Sequence, residues 1–315
     1  MVKSTKFGKC SLMASDELRD LLGLIEKGRA KMAGRVVTVD EQRARYRKLA
    51  QLLPAPEGVT VEAVDAGGVP AEWHRPAGGD DSAAIVYFHG GGYCIGGVDT
   101  HRGMAGHLAV ATGVPVLTVD YRLAPEHPHP APVEDAASAY RWVLQQGVAA
   151  GRTALAGDSA GGGLAVTTCL ALREGGDPLP GFAVLISPWT DVEGTGATMN
   201  TLAGDDPMVT GEGLAEMREW FLAGHDPRDP LVSPLHGDLA GLPPTLIHVG
   251  EREMLLDDAL RLADRLRSAG VDVTCEVWPE MVHVWHMFAG QVPESDAGLE
   301  AIATWLRPRL AAARP

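Results

Sequence analysis

The chain has 315 residues, 45% of them hydrophobic, which fills one large core with a lesser appendage and falls short of two full domains. Its 27 Lys and Arg stand against 41 Asp and Glu, a formal net charge of -14. That balance excludes the clustered basic surface that nucleic acids and anionic membranes require. The four cysteines, Cys10, Cys94, Cys169 and Cys275, show neither CxxC nor Cys/His ligand spacing. They read as reduced thiols in a cytoplasmic compartment, with Cys169 and Cys275 in the core.

In chain order, Met1 to Lys9 carries charge without the apolar run of a signal peptide, and no stretch approaches the ~18 apolar residues of a membrane span. The first dozen residues are expected to be an unordered upstream extension. Two helices follow over 15–53. Leu18, Leu21, Leu22 and Ile25 form one apolar stripe, and Thr38-Val39-Asp40-Glu41 is a capping box opening a second helix with Tyr46, Leu49 and Leu52. From Val59 the period changes to two. Val59–Val64, Gly67-Gly68 and Val69–His74 spell a hairpin.

Ala83–Phe88, Val114–Tyr121, Thr153–Ala156, Phe182–Ile186 and Thr245–Val249 are short apolar runs of the kind buried on both faces. Helical segments near 103–112, 133–146, 161–173 and 257–269 alternate with them, and Val273–Val277 supplies a last strand. The fold class that follows is α/β, with a mostly parallel central sheet and helices on both faces. Residues 190–243 break the rhythm with Gly, Pro, Asp and Met around one helical piece at 213–222. An insertion there suits a lid built together with the N-terminal helices.

The chemistry concentrates in three loops. Gly157-Asp158-Ser159-Ala160-Gly161, between a strand and a small-residue helical run, fits a nucleophile elbow. On its own it reads equally well as a glycine-rich turn, and no Walker lysine follows it to favour a phosphate loop. His89-Gly90-Gly91-Gly92, about 70 residues earlier, leaves bare backbone N–H groups at the end of a buried strand, the requirement of an oxyanion hole. His101, His107 and the Asp205-Asp206 pair lack ligand spacing, so neither a metal nor another cofactor is expected. Tyr93, Met208, Met217, Trp220 and Phe221 line an acyl pocket or form the core of the lid.

His89-Gly90-Gly91-Gly92, Asp120-Tyr121-Arg122-Leu123-Ala124-Pro125-Glu126 and Gly157-Asp158-Ser159-Ala160-Gly161-Gly162 resemble, in order, three signatures of the hormone-sensitive-lipase-like (bacterial family IV) esterases. The resemblance runs from about Val59 to the C-terminus. It implies an α/β-hydrolase fold with a helical cap: N-terminal cap helices over 1–55, a catalytic domain over 56–189 and 236–315, and a cap insertion over 190–235. It further implies a serine carboxylesterase acting on short- to medium-chain acyl esters, with the family's habit of homodimerisation.

In that fold the acid and the histidine follow the nucleophile Ser159 in the chain. The later histidines are His225, His236, His248, His283 and His286; only the stretch Met281-Val282-His283 follows the last strand, where the family places its base. His286 reads as a supporting or surface residue. For the acid, the family's Asp-Pro-Leu-Arg-Asp is replaced by Gly250-Glu251-Arg252-Glu253-Met254-Leu255-Leu256-Asp257-Asp258. Aligning the leucines puts Glu253 in the acid's place, with Asp257 the alternative and Asp258 a cap or surface charge. The expected site is therefore Ser159, Glu253 and His283, with Gly91, Gly92 and Ala160, and less centrally Gly90, as oxyanion donors. A lactone hydrolase with the same triad, an amide or formamide hydrolase, and a non-catalytic small-molecule receptor are the alternatives. Arg122 is expected to tie a loop.

Overall fold

Five residues without a charge, as in Ala84–Phe88 or Phe182–Ile186, hold their place in a sheet only when both faces are covered. The computed structural model of the chain, which describes residues 14–30 and 37–313, covers them so. The strands are β1 (Val59–Asp65), β2 (Pro70–Pro76), β3 (Ala84–Phe88), β4 (Val116–Val119), β5 (Thr153–Asp158), β6 (Phe182–Ile186), β7 (Thr245–Gly250) and β8 (Val273–Trp278). They form one sheet in the order β1-β2-β4-β3-β5-β6-β7-β8. β1 and β2 form the expected hairpin, β2 also lies antiparallel to β4, and all other pairs are parallel.

Alternation of side chains divides the interior in two. Ala84, Val86, Phe88, Leu155, Ala183 and Leu185 face the helices Ala131–Gln145, Ala160–Glu174 and Leu256–Ser268. Ile85, Tyr87, Ala154, Ala156, Val184 and Ile186 face Val98–Thr112 and the C-terminal helix Pro293–Ala312. The sequence reading lacks that last helix, although Leu299, Ile302, Leu306 and Leu310 recur at helical spacing on its buried side. β4 is shorter than the Val114–Tyr121 run because Pro115 offers no N–H and the chain leaves the sheet at Asp120.

The N-terminal helices lie where the strands end. Asp16–Ala30 packs Leu18 and Leu22 into the second core, and Ser15 anchors its start on the Glu294 carboxylate. The capping box of Val39–Ala50 forms as read, through Thr38 and Glu41. This helix has no buried residue and is held by Arg43, whose guanidinium forks onto Glu126 and the carbonyls of Cys94 and Ala124. Leu52 falls beyond the helix end and is 71% exposed, so it is no part of a buried stripe. Cys94, Cys169 and Cys275 are free thiols, but Cys275 sits half-buried on the edge strand β8 and not in the core. The expectations for Cys10 and the first dozen residues lie outside the described residues. No helix among the described residues is long and apolar enough to cross a membrane.

Far from the strand ends that carry the loops, Arg152 is 3% exposed at the start of β5. It reaches Asp80, the Ser82 carbonyl and the Leu310 carbonyl, joining three distant parts of the chain. Arg152→Ala unties Asp80 and Ser82 and leaves the buried Leu310 carbonyl without this donor, at an expected cost of about 2 kcal/mol. A urea titration monitored by circular dichroism checks this, with hydrolysis by the folded protein unchanged.

Candidate active site

β3, β5, β7 and β8 are parallel, so their C-terminal ends deliver four loops to one edge of the sheet. At the end of β5 the chain turns directly into the helix Ala160–Glu174, and Ser159 at the corner has φ 53° and ψ -121°. A side chain rarely tolerates that conformation; here the surroundings impose it. The Ser159 N–H donates to the Ile186 carbonyl, and its own carbonyl accepts from Trp189 and Gly163. Gly157 and Gly161 are required by contact. A Cβ on Gly161 would come within 1.9 Å of the Phe88 carbonyl oxygen, and one on Gly157 within 2.3 Å of the Gly161 carbonyl oxygen. The elbow is packed backbone to backbone against the end of β3.

The neighbouring Asp158 clamps that junction. Its buried carboxylate accepts from Tyr87 Oη (2.7 Å) and from the Gly90 N–H (3.0 Å), and lies 3.4 Å from His101 Nε2. Burial pushes its pKa up, but the charge and hydrogen bond of His101 and the Tyr87 hydroxyl outweigh burial, and the net shift is downward. Asp158 is therefore an anion under the loop 90–92. The bond it takes from Gly90 removes that N–H from the set of oxyanion donors, a correction to the sequence reading. Gly91 and Gly92 continue with φ 114° and 60° in a tight turn closed by Ile95 N–H onto the Gly91 carbonyl. Their N–H groups take part in no hydrogen bond with the described residues. Ala160, first in its helix, likewise has no carbonyl behind it in that helix to receive its N–H.

The loop after β8 carries His283, 7% exposed, and its Nδ1 lies 2.9 Å from Glu253 Oε2 on the loop after β7. Glu253 is fully buried, and its other oxygen accepts from Ser187 Oγ (2.7 Å) and the Gly250 N–H. Ser187 Oγ in turn accepts from the Val284 N–H (3.1 Å), so one hydroxyl joins the acid loop to the histidine loop. Burial pulls the His283 pKa down, yet the hydrogen bond and charge of Glu253 prevail and hold it above the ordinary imidazole value. Ser159, His283, Gly91 and Gly92 line one cavity of about 380 Å³, otherwise bounded largely by apolar side chains. A hydroxyl, a carboxylate-bonded imidazole and unpaired N–H groups around one cavity are the groups that acyl transfer needs.

Residues 85–287 match the family described as the alpha/beta hydrolase fold. An acetyl-hydrolase from Streptomyces hygroscopicus is 45% identical over 94% of this chain and 97% of its own length. An ethyl acetate hydrolase from Pseudomonas putida is 31% identical over 93% of this chain and 98% of its own. The crystal structure of an esterase from the bacterial hormone-sensitive lipase family superposes with a TM-score of 0.91 at 45% identity, covering 95% of this chain and all of that one. The chain belongs to the hormone-sensitive-lipase-like esterases. It is a carboxylic ester hydrolase with the α/β-hydrolase fold.

Of the five later histidines, His283 alone lines the cavity of this hydrolase. His225 is exposed, His236 is half-buried at the end of the short turn 234–236, and His248 is buried within β7. His286 is fully buried, not at the surface, with Nε2 3.1 Å from His248 Nδ1. Asp257 is turned away from His283 and accepts from the N–H groups of Ala197 and Thr198. Asp258, far from being surface charge, is buried and accepts from Thr190 and Asp191. Met208 and Met217 line the cavity, whereas Tyr93 and Phe221 are buried and stacked at 3.8 Å between ring centroids; Trp220 packs against the core. Arg122 ties its loop to Asp135 and Glu134, as its position after a buried strand predicts.

Ser187 and Asp206 escape the sequence reading. Asp206, buried, accepts from the N–H groups of Met208, Val209 and Met254, pinning the segment after β6 beside Glu253. A serine at a strand end and an aspartate in a loop give no signal until the loops meet. Asp158→Ala removes the one oxygen, Oδ1, onto which Tyr87 and Gly90 both donate. It is expected to lower kcat/KM for p-nitrophenyl butyrate about tenfold, as steady-state kinetics on the folded variant would show.

Proposed function

We propose that Ser159 is the nucleophile, His283 the general base and acid, and Glu253 the residue that orients His283, in the hydrolysis of short- to medium-chain acyl esters. The observation that carries this reading is that His283, bonded to the buried Glu253, lines the same cavity as Ser159. Ser159 Oγ attacks the ester carbonyl carbon as His283 Nε2 takes its proton. His283 Nδ1–H donates to Glu253, whose negative charge stabilises the imidazolium. The oxygen of the tetrahedral intermediate accepts from the N–H groups of Gly91, Gly92 and Ala160, the last at a helix start that favours negative charge. His283 returns the proton to the departing alcohol. A water molecule, activated by the same imidazole, then releases the acid from Ser159.

Cavity size and lining support the acyl range. Leu49, Met208, Leu214 and Met217 offer an apolar wall, and the Met217 sulfur would lie 2.3 Å from a Cβ on Gly92, closing the space above that loop. The names of the two bacterial relatives point the same way, toward small acyl groups. We assign the cap to residues 14–55 and 190–235, since Ile25, Tyr46, Leu49, Met208 and Met217 in the lining come from those segments.

Ser159→Ala is expected to lower kcat for p-nitrophenyl butyrate by at least about 10⁴-fold with an unchanged circular dichroism spectrum; full activity would remove Ser159 from its role. A panel of p-nitrophenyl esters of increasing chain length, run beside lactones, locates the substrate class. Its expected profile peaks at short acyl chains.

The base works only when neutral. Because Glu253 holds His283 above the ordinary value, the acid limb of kcat is expected above pH ~6.5. Glu253→Gln removes the charge that raises it, so the limb moves to lower pH while kcat falls about 10²-fold or more. Asp257→Asn should leave both untouched. The opposite result, loss in Asp257→Asn and normal rates in Glu253→Gln, would transfer the acid role to Asp257.

A further inference from the structure

Below the cap segment, away from the cavity, Asp191, Glu193 and His236 bring one oxygen, one oxygen and one imidazole nitrogen within 4.8 Å of one another. Asp191 is fully buried, and its Oδ1 has no hydrogen-bond partner; His236 Nε2, also buried, has none either. The two orphaned atoms face each other at 4.0 Å. That gap is too long for a direct hydrogen bond and suits one atom held between them. Buried polar atoms left so are costly, and two of them aimed at a common point with a carboxylate beside it form a set of donors for one shared ligand.

The surrounding structure holds these groups in place before anything binds. Asp191 and Glu193 follow β6, and His236 lies over forty residues further on, yet two hydrogen bonds join the two stretches: Val192 N–H donates to Ser233 Oγ and Leu235 N–H to the Thr190 carbonyl. Within the second stretch, His236 N–H donates to the Ser233 carbonyl. The other oxygen of Asp191 accepts from Thr195 and Arg261, which fixes the carboxylate plane with Oδ1 free. Arg261 balances part of the negative charge. Arg228, 66% exposed and 3.8 Å from Glu193, must swing aside to admit a cation.

We infer that Asp191, Glu193 and His236 form a binding site for a divalent transition-metal cation, foremost Zn²⁺, joining the two ends of the 190–235 segment. An imidazole with two carboxylates is a zinc donor set, which three protein groups and a water complete. Calcium and magnesium select all-oxygen sites, and among the first-row cations of ordinary availability Zn²⁺ binds nitrogen most tightly. Tetrahedral ligands at 2.0–2.2 Å from a metal stand roughly 3.4 Å apart, so the three donor atoms must draw together by about 0.6 to 1.4 Å, a movement for the partly exposed Glu193 and His236 side chains. The site does not meet the catalytic cavity, so it is structural: it fastens the root of the cap segment. The expectation of no metal rests on His101, His107 and the Asp205-Asp206 pair; His236 stands too far along the chain from Asp191 and Glu193 for the three to show as a group in the sequence.

The test uses the full chain stripped with a chelator. Titration with ZnCl₂ followed calorimetrically is expected to give one site, and saturating ZnCl₂ to raise Tm by roughly 5 °C, with CaCl₂ inert. His236→Ala and Glu193→Gln, both at partly exposed positions, are each expected to weaken binding at least about tenfold. His283→Ala separates this site from the catalytic imidazole, and its zinc binding is expected unchanged. Loss of binding in His283→Ala, equal binding in His236→Ala, or no Tm response would overturn the proposal and leave a water bridging Asp191 and His236.

Discussion

Everything at the reactive edge depends on the approach of the Gly157–Gly161 turn to the end of β3. Two carbonyls, those of Phe88 and His89, lie where any Cβ on Gly161 would stand. This contact brings a helix N-terminus, a serine on a strained corner and the loop 90–92 into one small volume. Asp158 then locks the arrangement electrostatically. One buried anion accepts from the strand before the loop, through Tyr87, and from the loop itself, through Gly90. Without it the loop would have only its glycines, which resist ordering more than any other residue.

The acid side of the site is built by the same device. Four buried carboxylates at the ends of β6 and β7 divide the work. Glu253 faces His283, Asp206 ties the backbone of Met208 and Val209 to Met254, Asp258 receives the backbone of Thr190 and Asp191, and Asp191 holds Thr195. Most of their hydrogen bonds come from backbone N–H groups, which cannot move away without breaking the local fold. A carboxylate supported in this way is a rigid positioner, and the order of the cap root and of Glu253 become one property.

The large negative net charge is consistent with this construction, since a share of the acidic residues are interior struts and not surface. The same support bears on the role proposed for Glu253, which stands where the resembling family has an aspartate. Glu253 is one methylene longer, and the Gly250 N–H and Ser187 hydroxyl take up its second oxygen. Reach to His283 is set by those two donors as much as by the side chain's length.

The alternation of charge-free strands with helices, the glycines of the elbow and the late His283 were legible in the residues because each rests on local rules: period, steric room, chain order. The C-terminal helix was missed, because Pro308 and small residues interrupt the apolar spacing of Leu299, Ile302, Leu306 and Leu310. Gly90 was misread because the fate of one N–H depends on Asp158, some seventy residues away. Ser187, Asp206 and the Asp191–His236 pair were invisible for the same reason, since their partners come from other loops. Sequence alone thus determined the fold class and the strand–turn–helix corner at Ser159, which follow from backbone sterics and the burial of apolar runs. Only the tertiary structure decided which buried polar atoms meet, because hydrogen bonds between loops depend on positions that no local pattern encodes.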